Sequence, residues 1–222
     1  MGLSNPPWCK ICGLTRIQDV TQTVGCGANA IGLNFYPHSP RYIDVQAAQQ
    51  LSAESIKVDA DCQKVGLFVN PTASEVNDVI AQVTLDMLQF SGEESAEFCR
   101  SFGMPYLKAV KMQQGTQLET YEVEFPDAWA LLLDTHDPNQ AGGTGQVFDW
   151  GLWPKRSAKR LILAGGLSPE NVASAVQQLA PFGVDVSSGV EGDDKGIKDS
   201  GRVRRFIPVS YTHLTLPTNS GV

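Results

Sequence analysis

One unit recurs along the chain and restricts its fold more than anything else. A short apolar run ends in a polar or glycine break, and a stretch with apolar residues at helical spacing follows. The run Leu131, Leu132, Leu133 is the plainest case, with Asp134 at its end and a glycine-rich loop beyond. Consecutive β-compatible apolar residues without alternation belong to a strand buried on both faces, as in parallel sheets covered by helices. Comparable runs fall at residues 8–11, 30–35, 64–69, 85–90, 106–110, 160–164 and 183–186. Eight strands alternating with helices predict an α/β fold of one domain, a (β/α)8 TIM barrel. An open doubly wound sheet is the rival. It would place a glycine fingerprint after the first strand, where the chain reads Cys12-Gly13-Leu14-Thr15.

Helix starts are read from capping signals. Thr15-Arg16-Ile17-Gln18, Thr72-Ala73-Ser74-Glu75 and Ser91-Gly92-Glu93-Glu94 match the capping box, and Asp44 caps a helix through Leu51. A helical pattern extends to Val123, and Asp149 and Trp150 open a short segment that Pro154 ends. Ser168 and Pro169 form an N-cap and first-turn pair. The last helix runs from Ser200 to Ile207, with Pro208 expected to stop it. The domain is therefore placed at residues 8–207, between a short extension (1–7) and an irregular tail (208–222) of different pattern, set apart from the functional argument.

The 222 residues, 42% hydrophobic, suffice for a large core, and a formal charge of −7 argues against nucleic-acid or anionic-membrane partners. An anionic small molecule remains compatible with that charge, provided that local amides and a few cations hold it. No apolar run reaches the length of a membrane span, and residues 1–7 lack signal-peptide features, so a cytoplasmic location is expected. Five scattered cysteines suggest reduced thiols. Cys9-Lys10-Ile11-Cys12 has redox spacing, but in a strand residues three apart face opposite ways. Three histidines without paired His/Cys spacing give no zinc site, so no metal is expected.

In a barrel the strand ends gather at one rim, here Cys12, Arg41, Gln89, Asp134, Gly165-Gly166 and Ser187-Ser188-Gly189. Loops after strands seven and eight commonly bind phosphate, because glycines let backbone N–H groups approach an anion. Gly165-Gly166 as a tight turn and Ser187-Ser188 as a helix cap are the plainer alternatives. Arg41 supplies a fork for a carboxylate or phosphate, or is an ordinary structural arginine. Cys12 and Asp134 are candidates for base and acid across one mouth, which favours acid–base isomerisation.

Several motifs taken together resemble phosphoribosylanthranilate isomerases. They are Lys10-Ile11-Cys12-Gly13-Leu14-Thr15, Phe35-Tyr36-Pro37 with Ser39-Pro40-Arg41-Tyr42, and Val65-Gly66-Leu67-Phe68-Val69-Asn70. Further along come Leu132-Leu133-Asp134-Thr135, Gly142-Gly143-Thr144-Gly145 with Phe148-Asp149-Trp150, Leu163-Ala164-Gly165-Gly166-Leu167 and Val184-Asp185-Val186-Ser187-Ser188-Gly189-Val190-Glu191. The resemblance implies a cofactor-free Amadori rearrangement of N-(5′-phosphoribosyl)anthranilate in tryptophan biosynthesis on a (β/α)8 barrel. It implies Asp134 as general acid, Cys12 as general base and Arg41 facing the anthranilate carboxylate. The backbone around Gly142-Gly143, Gly165-Gly166 and Ser187-Ser188-Gly189 would hold the phosphate, with Asp185 near the substrate's polar edge. A small phosphoribosyl substrate is the implied partner, for a monomer or homodimer. One departure stands out: Gln89-Phe90-Ser91-Gly92 carries Ser91 where the family often has His, which implies slower or weaker turnover. A histidine-pathway sugar-phosphate isomerase, or a weak or silent phosphate-binding barrel, are the alternatives.

Overall fold

Each apolar run becomes a strand because its β-branched and leucine side chains can be buried on both sides of a pleated sheet. The computed structural model describes residues 7–135 and 149–211. The strands are β1 Trp8–Cys12, β2 Ala30–Asn34, β3 Gln63–Phe68, β4 Met87–Phe90, β5 Tyr106–Met112, β6 Ala130–Thr135, β7 Leu161–Leu163 and β8 Gly183–Val186. All pair in parallel with their sequence neighbours, and β8 closes on β1. The helices are α1 Ile17–Gly25, α2 Val45–Val58, α3 Ala73–Ile80, α4 Ala96–Arg100, α5 Leu118–Glu124, α6 Val172–Leu179 and α7 Ser200–Tyr211. Short 3-10 turns occupy Trp150–Leu152 and Ser188–Val190. The expected (β/α)8 barrel is what the chain forms. No helix among the described residues is long and apolar enough to cross a membrane.

Alternation along the strands splits the apolar residues into two layers. Ala30, Val65, Met87, Leu107, Ala130, Leu132, Ile162 and Ala164 fill the barrel interior. Cys9, Ile11, Ile31, Leu33, Leu131, Leu133, Leu161, Leu163 and Val184 face outward against the helices. Full burial of each large aliphatic side chain contributes about 1.5–3 kcal/mol. The N-terminal end of the barrel is closed by rings. Trp129 lies 5.5 Å from Trp8 and 5.3 Å from Phe182, centroid to centroid, and the Arg160 guanidinium sits 4.9 Å from the Trp129 ring centre. With that end plugged, polar groups collect at the other.

Of the three capping boxes expected from the sequence, one forms and two do not. At Thr72 the box forms in full, with both reciprocal bonds to Glu75. At Thr15 it does not: the hydroxyl donates to the Gly196 carbonyl (2.7 Å), and α1 starts after Arg16, which has no side-chain cap bond. At Ser91 the box also fails, and Ser95 caps α4 instead. Glu94 is drawn inward to accept from the backbone N–H of Gly92 and Asn70 and to pair with Lys108 at 2.8 Å. A buried carboxylate with an ammonium partner is worth more than one exposed cap bond.

Helix ends shift for similar reasons. α2 continues to Val58, beyond Leu51. α6 begins at Val172, because Ser168, Pro169 and Glu170 form a turn in which Asn171 bonds back to Ser168 N–H and the Gly166 carbonyl. Pro208 does not stop α7, which runs through it to Tyr211. Val203, Phe206 and Ile207 on that helix are buried in the outer layer, and this packing outweighs the missing N–H of the proline.

Candidate active site

At the C-terminal ends of the strands the inward positions stop being apolar. On β1 the inward residues are Lys10 and Cys12; on β6 the run Ala130, Leu132 ends in Asp134; on β8 the polar position is Asp185. Cys12 and Asp134 thus stand at the same end of the barrel, on strands separated by β7 and β8. A small cleft of about 50 Å3 joins Asp134 and Asp185 to Gly165, Gly166, Leu167, Ser187, Ser188 and Gly189. Gly142 and Gly143 lie outside the described residues.

The two loops of that cleft are pressed together. A Cβ on Gly189 would sit 1.7 Å from the Leu167 carbonyl oxygen, so only glycine fits. Gly165 and Gly166 both take positive φ (81° and 64°), which lets successive backbone amides turn towards one side. Asn171 braces this turn through the Gly166 carbonyl at 2.9 Å. Ser187 donates its hydroxyl to the Cys12 carbonyl (3.0 Å), tying the β8 loop to the end of β1.

Around Cys12 the polar groups are charged, and sequence reasoning missed most of them. Lys10 is fully buried and its Nζ lies 2.7 Å from Asp185 Oδ1, on the face of β1 that also carries Cys12. Lys198 reaches in from the loop after β8, donating to Glu191 (2.9 Å) and to the Ser187 carbonyl (3.1 Å). Glu191 also accepts two bonds from Arg41, at 2.6 and 2.8 Å. Arg41 is accordingly buried, with two of its five donors given to Glu191. Gly13, at φ 72°, leaves it room: a Cβ there would meet Arg41 Cδ at 2.5 Å. Gly32 does the same for the thiol, since its Cβ would fall 2.7 Å from Cys12 Sγ.

Burial holds the Cys12 thiol above its ordinary range; Lys10 and Lys198 offset this only in part, and Asp185 adds to it. Burial would lower Lys10, but Asp185 and Cys12 outweigh it and the ammonium is held above its ordinary range. Glu191, despite burial, is brought down to about 2 by Arg41 and Lys198. On β4, Gln89 donates to Ser91 Oγ at 3.1 Å, while its carbonyl oxygen is buried without a partner among the described residues. The period-two rule was the signal available for Lys10, which stands two residues before Cys12 on one strand.

A family model described as N-(5′-phosphoribosyl)anthranilate (PRA) isomerase matches residues 9–209. The chain belongs to that family. It is 45% identical over 203 residues to N-(5′-phosphoribosyl)anthranilate isomerase of Hahella chejuensis, covering 91% of this chain and 93% of that one. Against the enzyme of that name from Pseudomonas aeruginosa it is 46% identical over 198 residues, with 89% and 92% covered. Among solved structures it resembles phosphoribosyl anthranilate isomerase from Thermotoga maritima, with a TM-score of 0.82, 38% identity and 92% and 98% of the chains covered. A further structure of this isomerase, in complex with reduced 1-(o-carboxyphenylamino)-1-deoxyribulose 5-phosphate, gives a TM-score of 0.79 at 37% identity, with the same shares covered.

Proposed function

We propose that this chain isomerises N-(5′-phosphoribosyl)anthranilate in the cytoplasm, as a step of tryptophan biosynthesis, with Asp134 as general acid and Cys12 as general base. The observation that carries the reading is the shared cleft. Asp134 opens onto the same space as Asp185 and the two glycine-containing loops after β7 and β8, and Cys12, outside the lining of that cleft, ends β1 at the same end of the barrel. The ester phosphate lies against the amides of Gly165, Gly166, Ser188 and Gly189. Arg41, with donors left beyond those given to Glu191, faces the anthranilate carboxylate, and Asp185 lies towards the sugar hydroxyls.

Asp134 gives its proton to the furanose ring oxygen as the C1′–O bond breaks. The anthranilate nitrogen lone pair forms the C1′=N bond, and the sugar opens to a protonated Schiff base. The Cys12 sulfur, as thiolate, takes the C2′ proton. The C–H pair becomes the C1′=C2′ bond, and the C=N pair returns to nitrogen, leaving an enolamine that tautomerises to the ketone. Positioned acid and base groups each contribute about 10²–10⁴-fold.

The test follows the loss of anthranilate-ring fluorescence of the substrate with purified protein. Cys12→Ala and Asp134→Asn are each expected to remove turnover by at least ~10²-fold with circular dichroism unchanged. Wild-type rates in either variant would overturn the assigned roles. If the wild-type protein binds a phosphate ester but turns nothing over at high concentration, the chain is a phosphate-binding barrel instead.

A further inference from the structure

Lys10 has no part in the roles given above, yet its ammonium is sealed inside the barrel beside the reacting thiol. It stands on the same face of β1 as Cys12, and its register partner across the closing seam is Asp185 on β8. The charged groups near Cys12 come from each side that packs on it. Lys10 comes from its own strand, Asp185 from β8, and Lys198 with Glu191 behind it from the loop after β8. Arg41 covers Gly13, and β2 offers only Gly32. Lys10 is paired with Asp185, Lys198 and Arg41 share Glu191, and Asp134 lines the same cleft as Asp185. Arg16 and Asp19 form their own pair at the edge of the cluster.

We propose that Lys10, oriented by Asp185, is a positioning residue for the base: it is the counter-ion that holds negative charge on the Cys12 sulfur and fixes where that sulfur points. The proposal rests on the reading of Cys12 as the proton acceptor. A purely structural Lys10–Asp185 pair would stabilise the barrel without touching the titration of the thiol, and this separates the two cases.

The experiment titrates Cys12 in the free enzyme by its rate of alkylation with iodoacetamide against pH, read at the Cys12 peptide by mass spectrometry. In Lys10→Met, the alkylation midpoint is expected to rise by one pH unit or more. The acid limb of kcat/KM should move with it, and kcat at pH 7 should fall at least tenfold. Lys10→Arg, which keeps the charge, should restore most of the midpoint. Asp185→Asn supplies a variant of opposite sign. Freed of its carboxylate, Lys10 stabilises the thiolate more strongly, and the midpoint should fall. If Lys10→Met does not fold, the Asp185→Asn titration decides alone. Midpoints in folded Lys10→Met or Asp185→Asn that stay within 0.3 unit of wild type overturn the proposal. Because the titration uses no substrate, it fails separately from the function. An active Cys12→Ala enzyme removes the base, whereas an inactive one with an unmoved Lys10→Met midpoint removes only the role of Lys10.

Discussion

Cys9 and Cys12 lie three residues apart on β1 and face opposite sides of it, which makes them a natural comparison of the two environments that the barrel builds. Cys9 looks outward into the layer between sheet and helices, among Ile11, Ile31 and Val184, and is fully buried. Burial pushes its thiol up to about 12, and the hydroxyl of Ser210 on α7 offsets this only in part. Cys12 looks inward and is nearly as buried, but meets Lys10 and Lys198. Depth is therefore not what distinguishes an inert thiol from a candidate base. The presence of a cation is not sufficient either. Cys99 has Lys108 near it and is still pushed up to about 12 by burial, with Lys108 drawing it back and Glu94, 2.8 Å from Lys108, adding to the rise. What sets the inward face of β1 apart is that two lysines, Lys10 and Lys198, act on its thiol from different elements.

That contrast can be attacked from the side of the charges first, where the largest effect is expected. Glu191 is held at about 2 against an ordinary 4.5, so its carboxylate stabilises the fold fully above about pH 4.5 and loses that contribution as pH falls towards 2. The contribution is on the order of 3 kcal/mol. Glu191→Gln should lower stability by about 3–5 kcal/mol at pH 7, since Arg41 and Lys198 are left unpaired, and should flatten the acid limb of a urea-midpoint profile between pH 5 and 2. An unchanged acid limb would mean that the cluster is not held together by this residue.

The second effect concerns geometry. Gly32→Ala puts a methyl group 2.7 Å from Cys12 Sγ and 3.0 Å from its Cα, and the thiol must move. A displacement near 1 Å should reduce kcat/KM by roughly 10²-fold, while the far-ultraviolet spectrum stays native. Full activity in this variant would show that the sulfur needs no defined position. The smallest effect belongs to the other face. Cys9→Ala should leave turnover within about twofold and cost about 1 kcal/mol, read as a fall in the thermal midpoint. A large loss of activity there would erase the distinction between the two sides of the strand.

The fold was legible because its signals are local. Three leucines followed by an aspartate describe a doubly buried strand and its polar exit without reference to anything else in the chain. Capping boxes were legible only where nothing better was within reach. Thr72 and Glu75 stand alone at the surface and bond each other, whereas Thr15 finds Gly196, and Glu94 finds Lys108 and two backbone amides. Pro208 was misread because its local penalty is visible in the sequence, while the burial of Phe206 and Ile207 on the same helix is not.

By itself the amino-acid sequence determined the order of strands and helices, and with it which residues stand at strand ends. Hydrophobic period and chain direction are properties of a few neighbouring residues, so Cys12, Asp134, Gly165, Gly166, Ser187 and Ser188 could be placed at one rim. The charge partners were decided only by the tertiary structure. Lys10 and Asp185 are 175 residues apart, and Arg41 and Glu191 are 150 apart. Closure of β8 on β1 brings the first pair together, and no local pattern encodes which distant carboxylate will stabilise a buried cation.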